Sequence, residues 1–185
     1  MSSWWVFRFP TIGNFSKEVT LFRNVKELQG SPKATGRRFA VVVSTFNQDI
    51  TDGLLRGARA ALSDAGVDST GVTVVRVPGA FEIPLAARRL ARTGRYDAII
   101  CLGCVIKGET MHFEYISSAV SQGIMAVSAD TGIPVTFGVL TTLTEEQATV
   151  RSADGPDNKG REAALSAVEM ITLVDAIEDG AGHDG

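Results

Sequence analysis

The sequence has no long hydrophobic run, almost no cysteine and little net charge, and each of these absences excludes a class of protein. No segment reaches the roughly 18 uninterrupted apolar residues of a transmembrane helix, and the first residues lack the basic region and apolar core of a secretory signal. Two cysteines among 185 residues cannot form the disulfide framework of a small secreted protein. A net charge of -3, with both signs interspersed, argues against a nucleic-acid partner. We therefore expect a cytoplasmic protein without membrane or nucleic-acid partners.

The two cysteines have the spacing of a redox motif but not its setting. Cys101 and Cys104 lie in an apolar, β-like run from Tyr96 to Ile106. A thioredoxin-like pair needs its first cysteine at a helix N-terminus, where the helix dipole favours the thiolate. Residues three apart in a strand point to opposite faces of the sheet. We interpret both as ordinary buried cysteines.

Strand-like and helix-like patterns alternate from residue 39 onward. A composition with 44% apolar and 21% charged residues suits one globular domain, and strands that alternate with helices predict a parallel sheet covered on both faces. Residues 1–38 are read as a partly irregular extension, which either docks on a neighbour or forms a short edge strand, and 179–185 as a flexible tail. The predicted strands are 39–44, 72–77, 96–104 and 134–140, and the predicted helices are about 54–65, 83–92, 113–130, 144–152 and 158–177.

Parallel sheets bind ligands beyond the carboxyl ends of their strands, and this rule selects four loops. The loop after the third strand contains His112, the only histidine in the body of the chain, since His183 lies in the Gly/Asp-rich tail. Histidine is the side chain best suited to proton transfer near neutral pH. Gly108 and Thr110 before it offer an anion backbone donors and a hydroxyl. The loop lacks the spacing of a nucleotide-binding P-loop.

The other three loops allow two readings each. Phe46 after the first strand either stacks on a planar heterocycle or caps the core. Glu82 near a helix start accepts hydroxyls or, as the favoured reading, complements the helix dipole. Arg151 either holds a phosphate bidentately or is a solvated helix-end arginine, and taken alone the second reading is favoured.

Together these segments resemble the lumazine synthase family over about residues 38–178. The motifs match in order and spacing, and as a set they are highly specific. They are Pro78-Gly79-Ala80-Phe81-Glu82-Ile83-Pro84, Leu102-Gly103-Cys104-Val105-Ile106-Lys107-Gly108-Glu109-Thr110-Met111-His112-Phe113-Glu114-Tyr115-Ile116, Phe137-Gly138-Val139-Leu140-Thr141, and Glu146-Gln147-Ala148 through Arg151 to Asn158-Lys159-Gly160.

The resemblance implies a reaction and an assembly. Family members condense 5-amino-6-(D-ribitylamino)uracil with 3,4-dihydroxy-2-butanone 4-phosphate to 6,7-dimethyl-8-ribityllumazine, phosphate and water, without cofactor or metal. They form pentamers or sixty-subunit shells of twelve pentamers, and we favour a pentamer as the minimal unit. The expected fold is a single three-layer α/β domain over 39–178, with a four-stranded parallel sheet in flavodoxin-like order and helices on both faces.

The resemblance also assigns roles to individual residues. His112 is expected to carry protons, and the second subunit is expected to supply part of each site. The implied substrate contacts are Phe46 stacking on the pyrimidine; Ala80, Phe81 and Glu82 on the ribityl chain and ring; backbone groups of Cys104, Val105 and Ile106 on the uracil edge; Glu109, Thr110 and Arg151 on the phosphate; Lys159 near the ribityl chain or phosphate; and Phe137, Arg151 and Lys159 from the adjacent subunit.

Two residues depart from the family pattern. Glu109 puts a carboxylate where a small or neutral residue is common, which weakens phosphate binding unless only its N–H contributes. Glu114 replaces the usual Asp and is still able to orient His112. Two other functions stay open at the level of sequence: a lumazine or flavin carrier that has lost turnover, with Glu109 as the suspect feature, and a purely structural shell protein.

Overall fold

A computed structural model describes residues 25–181 of the chain. Within this range the secondary structure alternates as the sequence predicts, with two short 3₁₀ turns at Ser69–Gly71 and Ala80–Glu82. No helix in the described range is both long enough and apolar enough to cross a membrane. The elements in chain order are β1 (Phe39–Ser44), α1 (Gln48–Asp64), β2 (Val72–Val77), α2 (Ile83–Ala91), β3 (Ala98–Ile106), α3 (His112–Thr131), β4 (Val135–Thr142), α4 (Glu145–Ser152) and α5 (Lys159–Ala181).

The four strands form one parallel sheet in the order β2-β1-β3-β4, which confirms the predicted fold class. The central strands β1 and β3 are continuous apolar runs, as expected for strands covered on both faces. The last paired residues of β1 and β3 are Val43 and Leu102, whereas β3 remains paired with β4 as far as Ile106. β3 therefore extends past the end of β1, and residues 103–106 form an overhang at the carboxyl edge of the sheet.

Two apolar cores lie on opposite faces of the sheet. Alternate residues of β1 enter different cores: Val41 and Val43 pack with α1, α4 and α5, whereas Ala40 and Val42 pack with α2 and α3. Complete burial of a valine or leucine side chain contributes about 1.5–3 kcal/mol, so these two clusters supply the main stabilisation. Cys104 belongs to the first core and Cys101 to the second. Both are buried and free, as predicted from their setting in a strand.

The ends of several elements lie a few residues from their expected positions. β3 begins at Ala98 and ends at Ile106, so both of its ends lie later than expected. Its end is later because pairing with β4 continues to the last residue of both strands. α1 begins at Gln48, earlier than expected. The early start was not predicted because the mostly polar first turn shows no apolar periodicity. Gly66 has a φ of +83°, as expected of a glycine that ends a helix. α5 extends to Ala181, past the expected end near 177.

The segment from 25 to 38 lies against α5 of its own chain and contains no strand. The backbone N–H of Ser31 donates to Thr172 Oγ1 at 2.7 Å. Arg37 pairs with Asp97 at 3.2 Å and also with Asp175. The expected edge strand is therefore absent from this part of the extension. Residues 1–24 lie outside the described range.

Candidate active site

The turn between β1 and α1 forms the first wall of a cavity at the carboxyl edge of the sheet. Asn47 has left-handed backbone angles, φ 56° and ψ 51°, which asparagine tolerates better than most residues. Its side-chain N–H donates to the backbone oxygen of Cys104 at 3.1 Å. Asn47 thus continues the ladder of hydrogen bonds to β3 where β1 has ended. The preceding residue, Phe46, stays 69% exposed at the rim.

The loop after β2 forms the second wall. Pro78 accepts two hydrogen bonds at its backbone oxygen, from the Phe46 N–H and from Thr45 Oγ1, both at 3.1 Å. These bonds tie the loop to the end of β1. The 3₁₀ turn that follows buries Ala80 and leaves Phe81 and Glu82 exposed.

The third wall is the loop between β3 and α3. Its start is fixed by the Lys107 N–H, which donates to the Thr142 backbone oxygen at 2.9 Å. His112 is the first residue of α3 and is exposed, and its backbone N–H lies 3.5 Å from Thr110 Oγ1. The imidazole therefore lies at a helix start beside the overhang of β3.

Glu114 pairs with Lys107 and not with the imidazole. Lys107 Nζ lies 3.1 Å from Glu114 Oε1. The backbone N–H of Glu114 itself, followed by the Lys107 ammonium, lowers the pKa of the Glu114 carboxyl below its ordinary value of 4.5. Lys107 thus holds one oxygen of the Glu114 carboxylate from the other end of the loop, while Oε2 is buried without a hydrogen-bond partner. The orienting role of Glu114 toward His112 stays a prediction.

The three walls enclose a cavity of about 600 Å³, which we call the His112 cavity. It brings together nine of the thirteen predicted site residues, while Glu109 is exposed beside it and is not part of the lining. Asn47 also lines it, and sequence reasoning missed this residue, although an asparagine in a loop after a strand was the available signal. The predicted residues in the lining are Phe46, Ala80, Phe81, Glu82, Cys104, Val105, Ile106, Thr110 and His112.

The three remaining predicted residues, Phe137, Arg151 and Lys159, line a different cavity of about 390 Å³. This Arg151 cavity lies along β4, the edge strand, and the start of α5. Arg151 lies in the last turn of α4 and donates from Nη1 to the Gln147 backbone oxygen at 3.0 Å, while Lys159 pairs with Glu162. No residue lines both cavities.

The cysteine beside the His112 cavity has no nucleophilic thiolate at neutral pH. Burial raises the pKa of the Cys104 thiol to about 11, and burial also raises the pKa of Cys101. A thiol reacts as its thiolate, so neither residue suits covalent catalysis or metal binding.

A family model and relatives at about 50% identity match this chain. The family model described as 6,7-dimethyl-8-ribityllumazine synthase matches residues 36–175. The chain is 52% identical over 151 residues to the 6,7-dimethyl-8-ribityllumazine synthase of Salinibacter ruber, an alignment that covers 82% of this chain and 97% of the relative. It is 50% identical over 151 residues to that of Desulfotalea psychrophila, with the same coverage. The match to 6,7-dimethyl-8-ribityllumazine synthase 1 of Caulobacter vibrioides is 51% over 144 residues, covering 78% and 94%.

The chain belongs to this family. As a lumazine synthase family member it is a transferase of riboflavin biosynthesis. It condenses 5-amino-6-(D-ribitylamino)uracil with 3,4-dihydroxy-2-butanone 4-phosphate to 6,7-dimethyl-8-ribityllumazine, releasing phosphate and water. This reaction needs two bound substrates and proton transfer.

Proposed function

We propose that the lumazine synthase reaction takes place where the His112 cavity of one subunit meets the Arg151 cavity of its neighbour. The main support is that the predicted site residues that line a cavity fall into two groups, one in each cavity, and that no residue lines both cavities. The proton carrier belongs to one group and the proposed phosphate ligand Arg151 to the other. One chain alone therefore offers two incomplete halves.

Ribitylaminouracil binds in the His112 cavity in this proposal. The 69% exposed ring of Phe46 is available to stack on the pyrimidine, and such stacking is worth about 1–3 kcal/mol per base. Backbone groups of the overhang from Cys104 to Ile106 read the uracil edge, since β1 no longer covers them. Asn47 already occupies the Cys104 carbonyl, so Val105 and Ile106 carry more of this contact.

The phosphate of the second substrate binds between the two cavities. Thr110 and the N–H of Glu109 approach it from the loop before α3, a helix start that favours negative charge. Arg151, Lys159 and Phe137 approach from the neighbour, with Lys159 near the phosphate or the ribityl chain and Phe137 against the ring. An arginine binds phosphate through two parallel N–H donors, which fixes orientation as well as charge.

Catalysis then consists of placement and proton transfer. The 5-amino group attacks the ketone and water leaves to give an imine. Phosphate leaves next, and ring closure by the ribityl-bearing nitrogen releases a second water. Holding both substrates together contributes an effective molarity on the order of 10⁵ M or more, and proton transfer by His112 adds about 10²–10⁴-fold.

Exposed apolar side chains on α2 and α3 support the assembly. Leu85, Tyr115 and Met125 are 63%, 72% and 68% exposed, although monomers rarely leave several large apolar groups open on neighbouring helices. We propose that these helices face a second copy, with a pentamer as the minimal unit and a sixty-subunit shell of twelve pentamers as its possible extension. We also propose a cytoplasmic location for the enzyme.

Complementation between two inactive variants tests the shared site. His112→Ala and Arg151→Ala are each produced alone as the parent controls. The two variants are also co-expressed with different affinity tags, and mixed assemblies are isolated through both tags. If each site takes His112 from one subunit and Arg151 from the next, random one-to-one mixing restores about a quarter of the wild-type sites. Turnover is followed by lumazine fluorescence and phosphate release. Mixed assemblies as inactive as either parent would reject the shared site.

A further inference from the structure

Asn158 is the residue just before α5, and its polar side chain is almost completely buried, with 1% exposure. It lies in neither cavity lining. The residues of the preceding connector, 153 to 157, are all exposed. A buried amide is costly unless its hydrogen-bonding groups are satisfied, so its partners indicate what it holds in place.

The Asn158 amide binds both ends of the connector and the helix beneath it. Its Nδ2 donates to the backbone oxygens of Ser152 at 2.8 Å and Ala153 at 3.0 Å, at the end of α4. The same nitrogen lies 3.1 Å from the Gly53 oxygen of α1. Its Oδ1 accepts from the N–H groups of Gly160 at 2.9 Å and Arg161 at 3.0 Å, which caps α5.

Two glycines allow the backbones to approach this amide. A Cβ on Gly57 of α1 would overlap Asn158 Oδ1, and a Cβ on Gly160 would overlap the backbone oxygen of Leu54. A Cβ at Gly57 would displace the Asn158 amide, and a Cβ at Gly160 would require α1 or the start of α5 to move. The packing is therefore specific to an amide of this length held between three helices.

The Asn158 amide and its hydrogen bonds, which we call the clamp, set the relative position of Arg151 and Lys159. Arg151 immediately precedes Ser152, whose carbonyl the amide holds, and Lys159 lies between Asn158 and the clamped Gly160. Both side chains line the same cavity although an exposed connector separates them in sequence. Both helices also pack on α1, but among the described residues the hydrogen bonds of this amide are the ones that join the end of α4 to the start of α5.

We infer that Asn158 is a positioning residue for the phosphate subsite of this enzyme. It touches no substrate and acts by fixing the spacing of the arginine and the lysine. The inference rests on the proposed assignment of Arg151 to the phosphate and on the first of the two places proposed for Lys159, near the phosphate. A misplacement of about 1 Å is enough to cost up to roughly 100-fold in turnover, so a clamp of this kind matters to catalysis as well as to stability.

Steady-state kinetics with each substrate varied in turn test the inference. Asn158→Ser keeps a cap acceptor for α5 but is too short to reach the carbonyls of α4. Asn158→Asp keeps the length and the acceptor and loses the donor. We expect both to raise the KM for butanone phosphate about tenfold or more while the KM for ribitylaminouracil stays within about twofold, because only the phosphate ligands shift.

Two controls separate the possible results. Val168→Ala, in the buried part of α5, lowers stability without touching the clamp, and it should leave both KM values unchanged. The inference is overturned if Val168→Ala raises the KM for butanone phosphate as much as an Asn158 variant of equal melting temperature does. Wild-type KM values in the Asn158 variants, with a raised KM in Arg151→Ala, overturn it as well and leave the proposed function intact. A wild-type KM in Arg151→Ala instead overturns the phosphate assignment itself.

Discussion

Lys107 and Glu114 form an ion pair across the loop that carries His112, with Nζ of the lysine 3.1 Å from Oε1 of the glutamate. One partner follows the last residue of β3 and the other lies in the first turn of α3. The pair therefore closes the loop at its base. Thr110 and His112 lie within the closed segment, so their position depends on a contact that neither of them makes.

Removing this pair should loosen the loop in a pH-dependent way. Because the pKa of Glu114 is lowered in the folded protein, its stabilising contribution is full above the ordinary value of 4.5 and is lost as the pH falls below that value through the lowered pKa. Glu114→Gln should reduce the melting temperature slightly at pH 7 and reduce kcat by less than about tenfold, since exposed pairs are weak. The difference from wild type should vanish at acidic pH.

A matched control for that experiment is Asp130→Asn, which removes the pair with Arg88 at the other end of α3. It should leave kcat unchanged. Equal losses of kcat in the two variants would contradict a specific role of the Lys107–Glu114 pair in placing the loop. Melting curves by circular dichroism and initial rates at several pH values supply the data.

Replacing the imidazole should slow the reaction without preventing substrate binding. We expect His112→Ala to reduce kcat by about 10²–10⁴-fold, the range typical of general acid–base catalysis. The KM values should change far less, because the ring is exposed at the edge of the cavity. The pH–rate profile is the decisive measurement: a profile of unchanged shape in the variant would remove His112 from proton transfer.

Arg151→Ala should affect the phosphorylated substrate selectively. We expect nearly complete loss of activity at low butanone phosphate with assembly intact, because a single neutral side chain cannot replace the bidentate guanidinium. Arg151→Lys should rescue only part of the loss, since an ammonium lacks the fork geometry. Arg59→Ala, on the surface of α1, is a control that should behave as wild type. Normal rates at low butanone phosphate would exclude Arg151 from phosphate binding.

Cys104 should be chemically inert in the folded protein. With its pKa raised to about 11, the thiol stays protonated at pH 8 and should not react with a thiol reagent until the chain is unfolded in urea. A raised thiol pKa leaves stability at its full value below the ordinary value of 9.0 and reduces it as the pH rises from there toward 11. Cys104→Ala should retain most of the activity, because the expected contact is through the backbone. Rapid labelling of the native enzyme would show that the site is more open than its burial indicates.

The sequence predicted the core of the fold because its apolar patterns are strong and local. The runs Phe39–Ser44 and Val72–Val77 have the bounds expected from the pattern. α4 also lies where the pattern predicts a helix, with Thr144 as its N-cap, whose side chain accepts from the Gln147 N–H at 3.3 Å. Boundaries that depend on pairing, such as the end of β3 at Ile106, were less accurate because the partner strand decides them.

The site was only partly predictable for the same reason. The predicted residues of the His112 cavity follow strand ends, and the topology of a parallel sheet brings such ends together. Asn47 and Asn158 were missed as clamps because their roles lie in hydrogen bonds to carbonyls distant in sequence. The pairing of Glu114 with Lys107 was not predicted, since sequence proximity to His112 said nothing about the direction of its side chain.

The order of apolar and polar residues by itself determined the alternating elements and the two-faced parallel sheet, and the motifs shared with the family supplied the candidate site residues. Only the tertiary structure decided that these residues occupy two separate cavities and that buried or paired side chains fix the loops between them. The physical reason is that backbone propensity and hydrophobic burial act over a few neighbouring residues. The direction of a side chain depends on hydrogen bonds and close contacts with groups that are distant in sequence and adjacent only after folding.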